Sequence, residues 1–182
     1  MKTRKERRLS DAQLVVRGLR AGATRAVLRL GGLYLPCALG RSGRRAVKRE
    51  GDGATPVGTF PLRQVLYRPD RLPRPRTGLP VRVLRADDGW CDDACDRNYN
   101  RRVRHPYPAS AERLWRADHL YDLILVMGYN DRPRIRGRGS AVFMHVAAPG
   151  LGATEGCIAL RLADLKRLIG RLKRGARVRI TA

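Results

Sequence analysis

Short segments with two-residue alternation, separated by glycine-bearing turns, constrain this chain most. Ala26, Leu28 and Leu30 alternate with Arg25, Val27 and Arg29, and a period of two puts the two sets on opposite faces of a half-buried strand. Residues 13–18, 24–30 and 33–39 read as three such strands, divided by Ala21-Gly22 and Gly31-Gly32. Residues 57–65 continue the sheet after Thr55-Pro56, and 177–180 alternate as a closing strand. The nearly unbroken apolar run 120–127 predicts a central buried strand. In 141–146, Ala141, Phe143 and His145 share one face, with Val142, Met144 and Val146 on the other. Residues 68–80, rich in proline and arginine, read as an irregular surface loop. A short helix is predicted over 108–115 with Ser110 as its N-cap. A second helix carries Leu162, Leu165, Leu168, Ile169 and Leu172 at helical spacing, stopped by Gly175. The expectation is a mainly β single domain over 11–182 with one or two helices, preceded by a basic, flexible arm at 1–10.

A chain of 182 residues can bury a sizeable core without disulfide or metal staples. No run reaches membrane-spanning length. No apolar segment follows the basic start at 1–8, so no signal peptide is visible. The net charge is +23, and 34 of the 39 basic residues are arginine. Such a field attracts polyanions, but the charges recur along the whole chain, as solvated faces do. Anionic envelope polymers are candidate partners, and no specific nucleic-acid site is expected. Cys37, Cys91, Cys95 and Cys157 do not form a dense disulfide framework. Cys91 and Cys95 could pair or remain free. With His105 they lack a fourth zinc ligand, and the five aspartates from Asp87 to Asp96 do not match an EF-hand loop. No metal or organic cofactor is expected, and the chain is expected to be a monomer.

Gly156-Cys157, twelve positions after His145, carries the chemistry. A histidine-bearing strand, a Pro149-Gly150 turn and a Gly-Cys step bring imidazole beside thiol. Thiolate is the nucleophile in acyl chemistry, and a nearby imidazole can take its proton. The backbone N–H groups of Gly156 and Cys157 are candidates for an oxyanion hole.

Thr154-Glu155-Gly156-Cys157-Ile158 with His145 upstream resembles the nucleophile motif of the L,D-transpeptidase catalytic domain, the YkuD-type family. Thr55-Pro56-Val57-Gly58 resembles that family's Thr-Pro-x-Gly turn, ninety residues before the histidine. The resemblance implies a β-sandwich working in the periplasm or cell envelope on peptidoglycan stem peptides. Cys157 would be the nucleophile and His145 the base, the ring held by the carbonyl just after it. A terminal D-amino acid would leave, and an amine of a second stem would resolve the thioester into a cross-link. A thiol hydrolase of the L,D-carboxypeptidase type, trimming stems, is one alternative; a basic nucleic-acid- or envelope-binding module without catalysis is another. Candidate substrate contacts are Tyr129, Asn130 and Thr154, with Trp90, Asp92, Asp93, Tyr99 and Asn100 as a polar aromatic patch. Many family members carry arginine two residues after the cysteine, where this chain has Ala159.

Overall fold

The computed structural model describes residues 14–182; the arm expected at 1–10 lies outside them. Strands β1 (Leu14–Gly18), β2 (Arg25–Leu30) and β3 (Leu33–Ala38) form an antiparallel meander, within about one residue of their predicted limits. The arginines of β2 face solvent while Ala26, Leu28 and Leu30 are buried. A parallel pair, β4 (Arg44–Arg45) and β5 (Thr55–Pro56), leads into the long β6 (Gly58–Tyr67). β7 (Val81–Val83) lies parallel on β6. Next come β8 (Asp88–Cys91), β9 (Arg102–Arg104) and β10 (Ala111–Arg113), which form a separate three-stranded sheet. β11 (Leu123–Met127), β12 (Phe143–Val146), β13 (Ile158–Leu160), helix α1 (Leu162–Ile169) and β14 (Arg177–Ile180) complete the domain.

The main sheet runs β11-β12-β13-β3-β2-β1-β14-β6-β7, and β11 also pairs with β6. Eight strands therefore close into a ring, with β7 attached outside it. β6 allows the closure by changing partner along its length: Gly58–Pro61 pair with β14, and residues 62–67 lie against β11. Closure leaves few bare strand edges to recruit a foreign strand.

The ring encloses the larger core, into which α1 presents Leu165, Leu168 and Ile169. A second apolar cluster forms on the far side of β11 and β12, beneath the small sheet. β11 is thus sandwiched: Leu123, Leu125 and Met127 enter the first core, Ile124 and Val126 the second. That is the physical reason for the unbroken apolar run. Truncating a fully buried side chain here, such as Leu125 to alanine, costs about 2–5 kcal/mol.

Two helical expectations need correction. Residues 111–113 form strand β10, paired with β8 through Ala111↔Cys91 and Glu112↔Trp90, and there is no helix over 108–115. Pairing onto β8 outweighs a local cap signal. Helix α1 ends at Ile169, where the Gly170 N–H still reaches Lys166 O; Leu172 enters the core from the tighter turn beyond. Strand β12 starts at Phe143 rather than 141, because Ala141 is left-handed at φ 49°. The predicted face division survives: Phe143 and His145 point away from the first core, while Val142, Met144 and Val146 point toward it.

Candidate active site

His145 and Cys157 line one cleft of about 560 Å³ between the main sheet and the small sheet. β12 and β13 run parallel, with Met144 opposite Ile158 and His145 opposite Ala159, so Cys157, just before β13, comes level with Phe143, two residues before the histidine on the neighbouring strand. The His145 ring is buried at 6% exposure and lies edge-on to Tyr121, centroids 5.2 Å apart. Its Nδ1 is 2.9 Å from the Val146 carbonyl, the carbonyl immediately after it, as the family resemblance implies. A carbonyl only accepts, so Nδ1 carries the proton and Nε2 keeps its lone pair. Burial pulls the imidazole pKa down to about 4; the Val146 carbonyl opposes the shift and Arg116 adds to it. The ring is neutral near pH 7 and can accept a proton.

The Cys157 thiol donates to Ala141 O at 3.2 Å and accepts the Phe143 N–H at 3.3 Å. Burial pushes its pKa up to about 12, with Glu112 adding to the rise and the Phe143 amide and Lys48 opposing it. The resting pair is therefore neutral thiol and neutral imidazole. Among the described residues no hydrogen bond joins the ring to the sulfur, which is turned toward Ala141.

The loop carrying the nucleophile is held on several sides. Thr154 Oγ1 donates to Cys157 O at 2.7 Å and accepts the Gly156 N–H at 3.1 Å. The Gly156 N–H is thus committed to the loop, which corrects the expectation that it is free to face an oxyanion. Gly156 itself sits at φ 131°, and a Cβ there would lie 2.8 Å from Ala54 O. Only glycine suits that conformation and approach. Thr55 of the Thr-Pro-x-Gly turn is fully buried; its Oγ1 accepts the Gly40 N–H at 2.8 Å and donates to Cys157 O at 3.4 Å. The second sequence motif therefore acts as a brace for the first.

Residues unmarked in the sequence complete the cleft. Lys48 is 4% exposed, paired with Asp52 at 2.6 Å, and lines the cleft beside Gly156. One signal could have flagged it: it is one of five lysines among 39 basic residues. Glu112, brought in by β10, accepts the Tyr121 hydroxyl at 2.6 Å, and Ser140 lines the same cleft. Tyr121 is held by the segment that Arg68 and Arg71 anchor, Arg71 pairing with Asp122 at 2.7 Å.

Of the expected substrate contacts, Thr154 and Asp92 line this cleft. Trp90, Asn100 and Tyr129 line a different concavity of about 410 Å³ on the other side of Phe143. Asn100 is a framework residue: its Nδ2 donates to Tyr129 O and Asn130 O, and its Oδ1 accepts the Trp90 indole and the Ala141 N–H. It thereby clamps the left-handed Ala141 whose carbonyl meets the thiol. Asn130 pins the 130–139 loop through Ile135 and Gly139, Tyr99 bridges Glu50 and the Gly139 amide, and Asp93 caps the Cys95 amide. Their polar groups are spent on framing. Cys91 and Cys95 are both free thiols, one buried and one exposed. No described helix is long and apolar enough to cross a membrane.

A family model described as the L,D-transpeptidase catalytic domain matches residues 15–180. The crystal structure of Mycobacterium tuberculosis L,D-transpeptidase 1 is similar at 11% identity with a TM-score of 0.39, covering 93% of this chain and 62% of that one. The chain thus spans under two thirds of that relative's length. No curated protein matches the chain.

Proposed function

Because the chain belongs to the L,D-transpeptidase catalytic-domain family, we propose that it transfers peptidoglycan stem acyl groups through a thioester on Cys157. The observation that carries this reading is the shared cleft of Cys157 and a His145 whose proton is pinned on Nδ1 by Val146 O. The resting thiol is neutral, so its ionisation accompanies attack: Sγ swings from Ala141 O, gives its proton to His145 Nε2, and adds to the amide carbonyl ahead of a terminal D-residue. Catalytic hydrogen bonds that are open in a free enzyme commonly tighten only around substrate. The developing oxyanion is met by the Cys157 N–H. The imidazolium then protonates the departing D-amino acid, leaving the acyl-enzyme. An amine of a second stem attacks the thioester, His145 returns a proton to sulfur, and a new amide joins the stems. Lys48 in the same cleft favours the thiolate along this path. On this reading the protein works in the cell envelope, as its family suggests.

The test is mass spectrometry after incubation with a carbapenem, a mimic of the acyl donor. The protein is expected to gain one covalent adduct, mapped to Cys157 and absent in Cys157→Ala. An unmodified wild-type protein, or an adduct that survives the substitution, overturns the assignment.

A further inference from the structure

The concavity on the other side of Phe143 from the nucleophile is dominated by guanidinium. Arg63, Arg82, Arg101, Arg102, Arg132 and Arg134 line a volume of about 410 Å³, against one acid, Asp131. Arg63 is paired with Asp131 at 2.7 Å, and Arg82 and Arg102 share Asp88 at 3.1 and 3.7 Å. Among the described residues no acid pairs with Arg101, Arg132 or Arg134. In a chain with 39 basic and 16 acidic residues many arginines stay unpaired in open solvent. These three differ because they converge. Burial first, then Arg101 with Arg132 adding, holds the Arg134 guanidinium below its ordinary pKa, and Asp131 opposes the shift. Like charges crowded in this way repel one another, and a bound anion relieves the repulsion.

The backbone that carries them is fixed in advance. Asn100 Nδ2 donates to Tyr129 O at 3.0 Å and to Asn130 O at 2.8 Å, so Arg101, the next residue, is tied to the root of the loop bearing Arg132 and Arg134. Asn130 closes that loop, accepting the Ile135 N–H at 2.8 Å and donating to Ile135 O and Gly139 O at 2.9 Å. Backbone ordered before binding costs the complex less entropy. A guanidinium is a planar fork of donors that suits phosphate oxygens two at a time. The aromatic side chains of the concavity are committed elsewhere: Trp90 donates to Asn100 and stands edge-on to Phe143, and Tyr129 stands edge-on to Phe60. Readers of single-stranded nucleic acid offer aromatic faces on which bases stack. This site offers charge instead.

We infer that this concavity binds a phosphodiester polymer of the cell envelope, its phosphates received by Arg101, Arg132 and Arg134. A tetrahedral phosphate accepts forks arriving from different sides, here from the β8–β9 connection and the β11–β12 loop, whereas the oxygens of a carboxylate lie in one plane. Val142 lines both this concavity and the catalytic cleft, so a bound polymer runs alongside the cleft without entering it. The site holds the enzyme on the anionic layer in which its substrate lies. Binding here is independent of the thioester chemistry; only the envelope as the polymer's source is taken from the family.

The test is fluorescence anisotropy of a labelled synthetic glycerol phosphate decamer in 150 mM salt, where a Debye length of about 8 Å suppresses the field of distant charges. Arg101→Gln, Arg132→Gln and Arg134→Gln combined are expected to weaken binding at least tenfold. All three side chains are exposed, so no core contact is lost; should the triple change still fail to fold, Arg101→Gln with Arg134→Gln decides, with a threefold loss expected. A control combining Arg29→Gln, Arg171→Gln and Arg174→Gln removes the same charge from exposed positions outside the concavity and is expected to stay within twofold of wild type. Polyglutamate and single-stranded DNA of equal length are expected to bind severalfold more weakly than the glycerol phosphate chain. Binding that survives the triple change, or that the control weakens equally, overturns the site. DNA or polyglutamate binding as tightly as glycerol phosphate overturns the choice of polymer. The triple variant is expected to take the carbapenem adduct as the wild type does, so a wild-type protein that takes none overturns the thioester reading and leaves this site standing.

Discussion

Replacing His145 with glutamine isolates the burial of one imidazole as a measurable free energy. The folded-state pKa is about 4, against 6.5 for the free side chain. Between these values the unfolded chain binds a proton that the folded chain refuses. Stability from this group is therefore complete above pH 6.5 and is lost as pH falls toward 4. The shift corresponds to about 3 kcal/mol at 1.36 kcal/mol per pH unit. For a domain of this size that is roughly 10 °C in melting temperature. Urea denaturation at pH 7.5, 5.5 and 4.0 reads it directly. The wild type is expected to lose about 3 kcal/mol more than His145→Gln over that range. Carboxylates such as Asp52 and Asp118, which neighbouring groups hold below their usual range, titrate in both proteins and cancel. Parallel curves for the two proteins refute a neutral, desolvated His145. The same group sets the acid limb of activity: the free-enzyme kcat/KM profile is expected to fall near pH 4 rather than 6.5.

Gly156→Ala is expected to abolish acyl-enzyme formation while costing about 1–3 kcal/mol of stability, since alanine at φ 131° is strained and its Cβ meets Ala54 O at 2.8 Å; adduct mass and thermal melting check the two effects separately. Asp52→Ala strands the buried Lys48 charge and is expected to destabilise by about 3–5 kcal/mol, whereas the double change Lys48→Met with Asp52→Leu recovers most of that in the same denaturation assay.

The parts of the fold legible in the sequence are those whose pattern has a local cause. Arg25 and Arg29 announce a solvated face on β2, and the run through Leu123–Met127 announces burial on both sides. The small β8-β9-β10 sheet was not legible, because its strands hold only three or four residues each and exist through pairing with distant partners. The site divides in the same way. Cys157 and His145 are twelve residues apart, one just before β13 and the other on the adjacent β12, so their meeting is nearly a local event. Lys48, Glu112 and Ser140 arrive from three separate segments, and no spacing joins them.

Asp92 and Asp93 show why a cluster of consecutive polar residues is a poor guide to a site. Asp92 lines the cleft, while Asp93 caps the Cys95 amide. Trp90, only two residues from Asp92, is committed by its indole bond to Asn100 and by its edge-on contact with Phe143 at 5.0 Å. One patch in the sequence thus supplies a cleft residue and a frame residue at once. The +23 of the chain misleads for the same reason: charge is felt where side chains converge, and of the charged residues lining the cleft four are acidic and two basic.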